Sequence, residues 1–438
     1  MQHSQHRQEL TVLERVTLKG FHKQLNLYGI ELLSFHDRRK ESRPTSGEAP
    51  FSLDEVFFSR TDDRGIIRAF NHVFQRVANF QPDEMLGKPH NIIRHPDMPR
   101  GVFQVFWDTL QAGEFMGAYV KNKASDGLHY WVYAVIVPCE DGYLSARIKP
   151  SSPLFSTIIT EYETLLAAEK NDALSPEASA KLLLEQLKAL GFDDYHSFAA
   201  HALTEELIAR DVGLKRIEDP KIKDFRFMLQ NSENLTQETE ALVHEFEAMR
   251  TIPHNLRVIA SRIEPAGGPV TVLSQNYGTM SRAMSDWFAT HVLGEESNFA
   301  SIKSAVNNSM FIECMARILD ECDAQLKAEE HSVDGIVLDQ ERKILAKLVA
   351  EQRDRTRAGL ANVNFEADRI LNACKVMHRH FLGLSSTRVL CKIESARLPT
   401  EGEALTAIID QLGVFQGRIS AQLDRIVTLS TEIQAAEF

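Results

Sequence analysis

No run in this 438-residue chain is apolar enough, for long enough, to cross a bilayer as a helix. The most apolar stretch, Tyr130 to Pro138, has about nine residues against the ~20 a spanning helix needs. The N-terminal Met1-Gln-His-Ser-Gln-His-Arg7 leads into no signal core. The expectation is a cytoplasmic protein with no transmembrane segment. Cysteine is scarce: the five are Cys139, Cys314, Cys322, Cys374 and Cys391, with no CxxC pair. A zinc site is therefore disfavoured, and buried free thiols in a reducing compartment are expected. Positive charge is in deficit, 49 Lys and Arg against 61 Asp and Glu, for a net −12. That balance argues against nucleic acid as a partner, because such binding rests on clustered cations. The strings GxxxxGK, GxSxG and HExxH are missing, and no ATP-lid motif follows His244-Glu245. The chain does not read as an enzyme.

The richest stretch is Lys88-Pro-His-Asn-Ile-Ile-Arg-His-Pro-Asp-Met-Pro99. Three prolines pin a loop carrying two histidines, an arginine and an aspartate, which is more chemistry than a connection needs. An apolar helical pattern follows with Val102, Phe103, Phe106, Trp107 and Leu110.

Around this loop the chain divides into four parts. Residues 1–50 read as an amphipathic helix over 9–35 followed by a linker rich in charge, proline and glycine. Residues 51–150 read as strand 56–61, an Asp62-Asp-Arg-Gly65 turn and strand 66–70. Next come a helix from His72 with Asn71 as N-cap, a short helix at 82–87, the loop, and a helix to about 112. Strands at 118–123, 128–138 and 143–148 complete an α+β fold with a five-stranded antiparallel sheet. Residues 151–219 read as a helical connector.

Residues 220–438 follow a spacing of 4, 3, 4, 3 in Leu235-Thr239-Leu242-Phe246-Met249 and in Val363 through Leu384. A further seam reads Leu405, Ile408, Leu412, Phe415, Ile419, Gln422, Ile426, Leu429, Ile433. Such spacing means coiled-coil-like helices. Asn255–Ala266 and Ser386–Ala396 share the pattern Arg-Val-apolar, then basic-Ile-Glu-x-Ala, each before a breaker-rich tip. The half therefore reads as two tandem helical hairpins, about 220–330 and 337–438, able to pair as a homodimer or as a pseudo-dimer within one chain. Pro253 and Gly383 are candidate breaks where the helices could switch between two states.

Residues 57–150 resemble the PAS domain of aerotaxis receptors. The likeness is carried by Asn71-His-Val-Phe74, Leu86 through Pro99, Val120-Lys-Asn122 and His129-Tyr-Trp-Val132. It implies FAD as cofactor and sensing of redox state or oxygen. Related sensor PAS domains hold haem b, for which His90, His95 and His129 are the available imidazoles. A cofactor-free docking module is the third reading. The binding residues implied are His90, Asn91, Arg94, His95, Asp97, Trp107 and Asn122. One departure is Met116, where flavin-binding relatives commonly carry Trp.

Asn255-Leu256, Ile263-Glu264 and Ala266 resemble the signalling tip of methyl-accepting chemotaxis proteins, although the following run is shortened to Gly267–Leu273. This second resemblance implies a chemotaxis histidine kinase, its coupling protein or other receptor-array components as partners.

Overall fold

The computed structural model describes residues 43–249, 252–263, 269–291, 298–329, 333, 335–396 and 402–435. The amphipathic helix expected over 9–35 and the first hairpin tip at Ala266 lie outside these residues.

Strands β1 (Val56–Thr61), β2 (Ile67–Phe70), β3 (Met116–Lys123), β4 (His129–Cys139) and β5 (Gly142–Ile148) form one antiparallel sheet in the order β2-β1-β5-β4-β3. The β1–β2 turn forms because Asp62 is both turn residue and cap. Its carboxylate accepts from the amides of Arg64 at 3.0 Å and Ile66 at 2.9 Å, and Gly65 supplies φ +76°. Helix α1 (His72–Ala78) starts at Asn71, whose Oδ1 accepts from Phe74 N at 3.1 Å and Phe58 N at 3.0 Å. One side chain thus caps the helix and fixes it to β1. A single turn, α2 (Pro82–Met85), leads to the Pro/His loop, which contains a 3-10 turn at His90–Ile93. Helix α3 (Arg100–Gln111) follows.

The sheet is buried on both faces. One face looks toward α1, α3 and the loop. The other is covered at β3 and β4 by connector helices α4 (Pro153–Asn171) and α6 (Tyr195–Gly213), while connector helix α5 (Pro176–Ala189) packs on α3 instead. Strand alternation sorts the residues: Trp131 and Tyr133 meet the connector, with Tyr133 OH donating to Ala199 O at 2.8 Å, while Tyr130 stacks on Phe57 at 5.8 Å on the α1 side. Buried Glu206 of α6 accepts from Tyr119 OH, the amides of Ser151 and Ser152, and Ser152 Oγ, so it holds the start of the connector against β3.

The helical half comprises α7 (Pro220–Met249), α8 (Ile252–Ile263), α9 (Pro269–His291), α10 (Asn298–Ala328), α11 (Leu338–Ser395) and α12 (Gly402–Gln434). The two hairpins pack on each other within one chain. Phe246 lies 6.2 Å from Phe381, Gln416 Nε2 donates to Tyr277 OH at 2.7 Å, and Arg425 pairs with Glu238 at 2.7 Å. Val363, Ala367, Ile370, Cys374, Met377, Phe381 and Leu384 are all buried, as their spacing requires. Helix α11 runs unbroken through Gly383, so no breaker acts there. The α12 seam is also shifted at alternate positions: Ile409, Gln416, Leu423 and Ser430 are buried, rather than Ile408, Phe415, Gln422 and Leu429 throughout. Gln422 is itself 8% exposed. Stepping by three before four from Leu405 misplaces alternate positions of this seam, and the Tyr277 partner makes Gln416 acceptable inside. Among the described residues no helix is long and apolar enough to cross a membrane. Four of the five cysteines are buried and all are free.

The sheet-bearing part and the helical half meet along α10 and α11. Asn71 Nδ2 donates to Glu329 Oε1 at 2.9 Å, and His72 N donates to Glu329 Oε2 at 2.9 Å. Arg60 of β1 makes a two-pronged pair with Glu341 at 2.7 and 2.8 Å. Phe115 stacks on Phe311 at 4.9 Å, and Arg210 of α6 reaches Glu321 at 3.0 Å.

Candidate ligand cavity

The Pro/His loop crosses the sheet face from one edge strand to the other. At its start, Ile67 N donates to Lys88 O at 2.9 Å and His90 N to Gly65 O at 2.9 Å, beside β2. At its far end Arg94 bridges Asn122, and Lys121 N donates to Met98 Sδ at 3.2 Å, on β3. β2 and β3 are the two edges of the sheet. The loop is therefore a roof, and under it lies a cavity of about 220 Å³.

Its walls follow from strand and helix periodicity. Ser59 and Thr61 of β1, Val120 and Asn122 of β3, Ile136 of β4, and Tyr143, Ser145 and Arg147 of β5 point in from the sheet. Phe103, Phe106, Trp107 and Leu110 come from α3 at helical spacing. Trp107 makes an edge contact with Tyr143 at 5.9 Å, across the mouth between helix and sheet. His90, Asn91, Ile93 and Arg94 close the roof.

The dominant charge in the cavity is Arg147, which is 5% exposed. Its Nη2 donates to Ser59 Oγ at 2.8 Å and meets His90 Nε2 at 2.7 Å, and its guanidinium lies 5.0 Å from the Phe74 ring. Nη1 has no hydrogen-bond partner among the described residues, and neither has Ser145 Oγ, two residues away on the same strand face. No carboxylate of the described residues pairs with it. Burial pulls the Arg147 pKa down to about 10, still charged at neutral pH. Burial, reinforced by Arg147, pushes His90 well below the usual histidine range. The imidazole is therefore neutral, with Nε2 as the acceptor. An unpaired buried cation beside an orphaned hydroxyl costs stability unless something completes it.

Five of the seven residues singled out from sequence line this cavity: His90, Asn91, Arg94, Trp107 and Asn122. Arg94 lies flat on Phe103 at 3.6 Å from the ring centroid. Burial lowers its pKa. Asn122 is 3% exposed. His95 and Asp97 are placed elsewhere, on the outer side of the roof. His95 Nδ1 accepts from Asp97 N at 3.1 Å, its ring faces His129 at 6.2 Å, and Asp97 reaches Lys121 at 3.5 Å. Burial, then Lys121, lowers the His95 pKa. Together they clasp the loop to β3. The three histidines do not converge, and His90 Nε2 is engaged by a guanidinium that would compete with iron.

Sequence reading missed Arg147, Ser145 and Ser59. Tyr143, Ser145 and Arg147 alternate with Leu144, Ala146 and Ile148, a pattern normally read as a polar face in water. The Pro/His loop and α3 roof this polar face, while helix α10 packs on the opposite face of β5.

Residues 67–144 match the family model described as the PAS fold. The chain is 35% identical over 128 residues to the aerotaxis receptor of Escherichia coli (strain K12), covering 28% of this chain and 25% of that protein. It is 29% identical over 117 residues to the biofilm dispersion protein BdlA of Pseudomonas aeruginosa, covering 26% of this chain and 27% of that protein. The chain thus spans about a quarter of the length of these relatives. Among solved structures, a light-oxygen-voltage domain studied with a flavin analogue aligns with 25% of this chain and 85% of its own, at 19% identity and TM-score 0.22. A PAS domain from Colwellia psychrerythraea aligns with 22% of this chain and 85% of its own, at 18% identity and TM-score 0.19.

Proposed function

We propose that this chain, whose residues 51–150 form a PAS domain of the aerotaxis-receptor type, is a non-catalytic cytoplasmic sensor that holds FAD in the roofed cavity. It relays redox state or oxygen through the helical half to chemotaxis-type partners, a histidine kinase with its coupling protein or other receptor-array components. The observation that carries this reading is Arg147, a buried guanidinium with a free Nη1 aimed into an aromatic-walled cavity. Structural residues seldom leave such a group unpaired.

The residues present fit a flavin. Phe103, Trp107, Val120 and Ile136 offer apolar surface for a planar ring. Arg147 Nη1, Ser145 Oγ and the Asn122 amide offer polar contacts to the carbonyl and nitrogen edge of such a ring. FAD, when bound, supplies reversible uptake of electrons. The chain's own part is electrostatic: Arg147 is a fixed positive charge in a low-dielectric site, so it favours the ligand state with more negative charge near β5. His90, held neutral, adds no second cation. The wall helix α3 and the loop are the elements that would feel a changed ligand. Asn71 and Arg60 then connect the same domain to Glu329 and Glu341 of the helical half.

The absorption spectrum of the purified chain, before and after incubation with FAD, tests the reading. Flavin bands that Arg147→Met reduces by tenfold or more in affinity are expected, since a charge-assisted hydrogen bond is worth about 1.5–3 kcal/mol. A Soret band would mean haem instead. A bare protein spectrum after incubation would leave a cofactor-free scaffold.

A further inference from the structure

Two lining residues of the cavity, Asn91 and Arg94, also line a second space. On the outer side of the roof lies an open groove of about 500 Å³, walled by the loop, the start of α3 and the last turns of connector helix α4. Arg94 lines both spaces, with its guanidinium over the Phe103 ring, and has no side-chain hydrogen-bond or carboxylate partner among the described residues. The inner cavity, at about 220 Å³, falls below the ~300–1,000 Å³ of sites that enclose whole drug-sized ligands. A ring system fits inside it, but the remainder of a dinucleotide does not.

The groove's charges suit what must leave. Arg94, Arg100 and Lys170 face it, and Lys170, like Arg94, has no carboxylate partner among the described residues. The one carboxylate in the groove, Glu169, is already committed. It accepts from Arg100 N at 2.6 Å, Gly101 N at 3.1 Å and Ser179 Oγ at 2.5 Å, and lies 3.6 Å from the Arg100 side chain. It thereby occupies the N-terminus of α3 and leaves an excess of positive charge at the rim.

We infer that the cavity and the groove are one ligand site, in which the flavin ring lies inside and the diphosphate arm of the dinucleotide passes Arg94 to rest against Arg100 and Lys170. This inference rests on the flavin reading above and adds its specificity: a dinucleotide over the bare ring compound, with the connector itself in contact with the ligand. Lys170 sits one residue from Glu169, which holds the N-terminus of the cavity-wall helix. Filling the groove therefore touches the joint between sensor and connector.

Titrating the purified full chain with riboflavin, FMN and FAD tests it, using wild type and Lys170→Glu. Lys170 is exposed and its ammonium makes no hydrogen bond or ion pair among the described residues, and unchanged circular dichroism will verify that the variant folds. FAD should bind at least tenfold more tightly than riboflavin, with FMN between them. Lys170→Glu should weaken FAD about tenfold, the scale of one reversed charge near an anion at a protein surface. Riboflavin affinity should stay within about twofold, and FAD and FMN binding, but not riboflavin binding, should weaken with added salt. Equal affinity for riboflavin and FAD, or FAD binding indifferent to Lys170→Glu, overturns the two-compartment site while leaving the flavin reading intact. Failure of all three flavins to bind overturns both.

Discussion

Glu329 offers a quantitative test of the joint between the sheet-bearing part and the helical half. Its carboxylate is 6% exposed and caps α1 through His72 N and Asn71 Nδ2, with Gln325 Nε2 also donating at 3.3 Å. These bonds favour the ionised form, but burial outweighs them and raises the pKa from 4.5 to about 7. The folded state therefore holds the proton more tightly than the unfolded state. Stability from this group is complete below about pH 4.5 and is lost as pH rises through about 7. Between about pH 5 and about pH 8 the loss is on the order of 2.5 kcal/mol. Because the helical half and the sheet-bearing part need not unfold together, the appropriate readout is local opening by hydrogen exchange, corrected for the intrinsic pH dependence, in α1 and the end of α10. Protection there should fall by one to two powers of ten across that range. Glu329→Gln should flatten the dependence and separates this carboxylate from other groups that titrate in the window. Identical pH profiles for wild type and Glu329→Gln would refute the assignment of a protonated latch.

Three further substitutions probe the packing that positions the site. A Cβ on Gly101 would meet the Ser179 backbone at 2.5 Å and Ala180 N at 2.7 Å, so Gly101→Ala should cost about 1–3 kcal/mol by overpacking α3 against α5; thermal unfolding followed by near-ultraviolet circular dichroism measures it. Arg60→Ala leaves Glu341, 4% exposed, without its partner and should cost about 3–5 kcal/mol at the β1–α11 contact; proteolysis between the two parts should become faster. Tyr277→Phe removes the acceptor for the buried Gln416 amide and should destabilise the helical half by about 1–3 kcal/mol, read by urea unfolding.

Local chemistry was the legible part of this chain. The Asp62–Gly65 turn, the Asn71 cap and the proline-pinned loop each specify their conformation within a few residues, so the five-stranded antiparallel sheet and a loop bordering a pocket could be anticipated, though not the strand order. The same applies to the uninterrupted seam from Val363 to Leu384. What stayed hidden depends on distant elements. Loop composition could not show that Arg94 turns inward while His95 and Asp97 turn out, because that choice is set by the pairing of Lys121 and Asn122 with the loop. Arg147 reads as a surface residue in the strand pattern, and only the distant loop and α3 folded over its face bury it. Along α12, Ile408 and Ile409 are equally apolar, and only the neighbouring helices decide between them.

The central claim is that a redox change at the cavity reaches the helical half through the Asn71–Glu329 and Arg60–Glu341 contacts. Hydrogen exchange on the flavin-loaded chain, oxidised against chemically reduced, measures this directly. The account predicts a change in protection in α3 and, in the same samples, in α10 near Glu329 and α11 near Glu341, with α12 as an internal reference. Equal protection of α10 and α11 in the two states, with flavin bound in both, would contradict it.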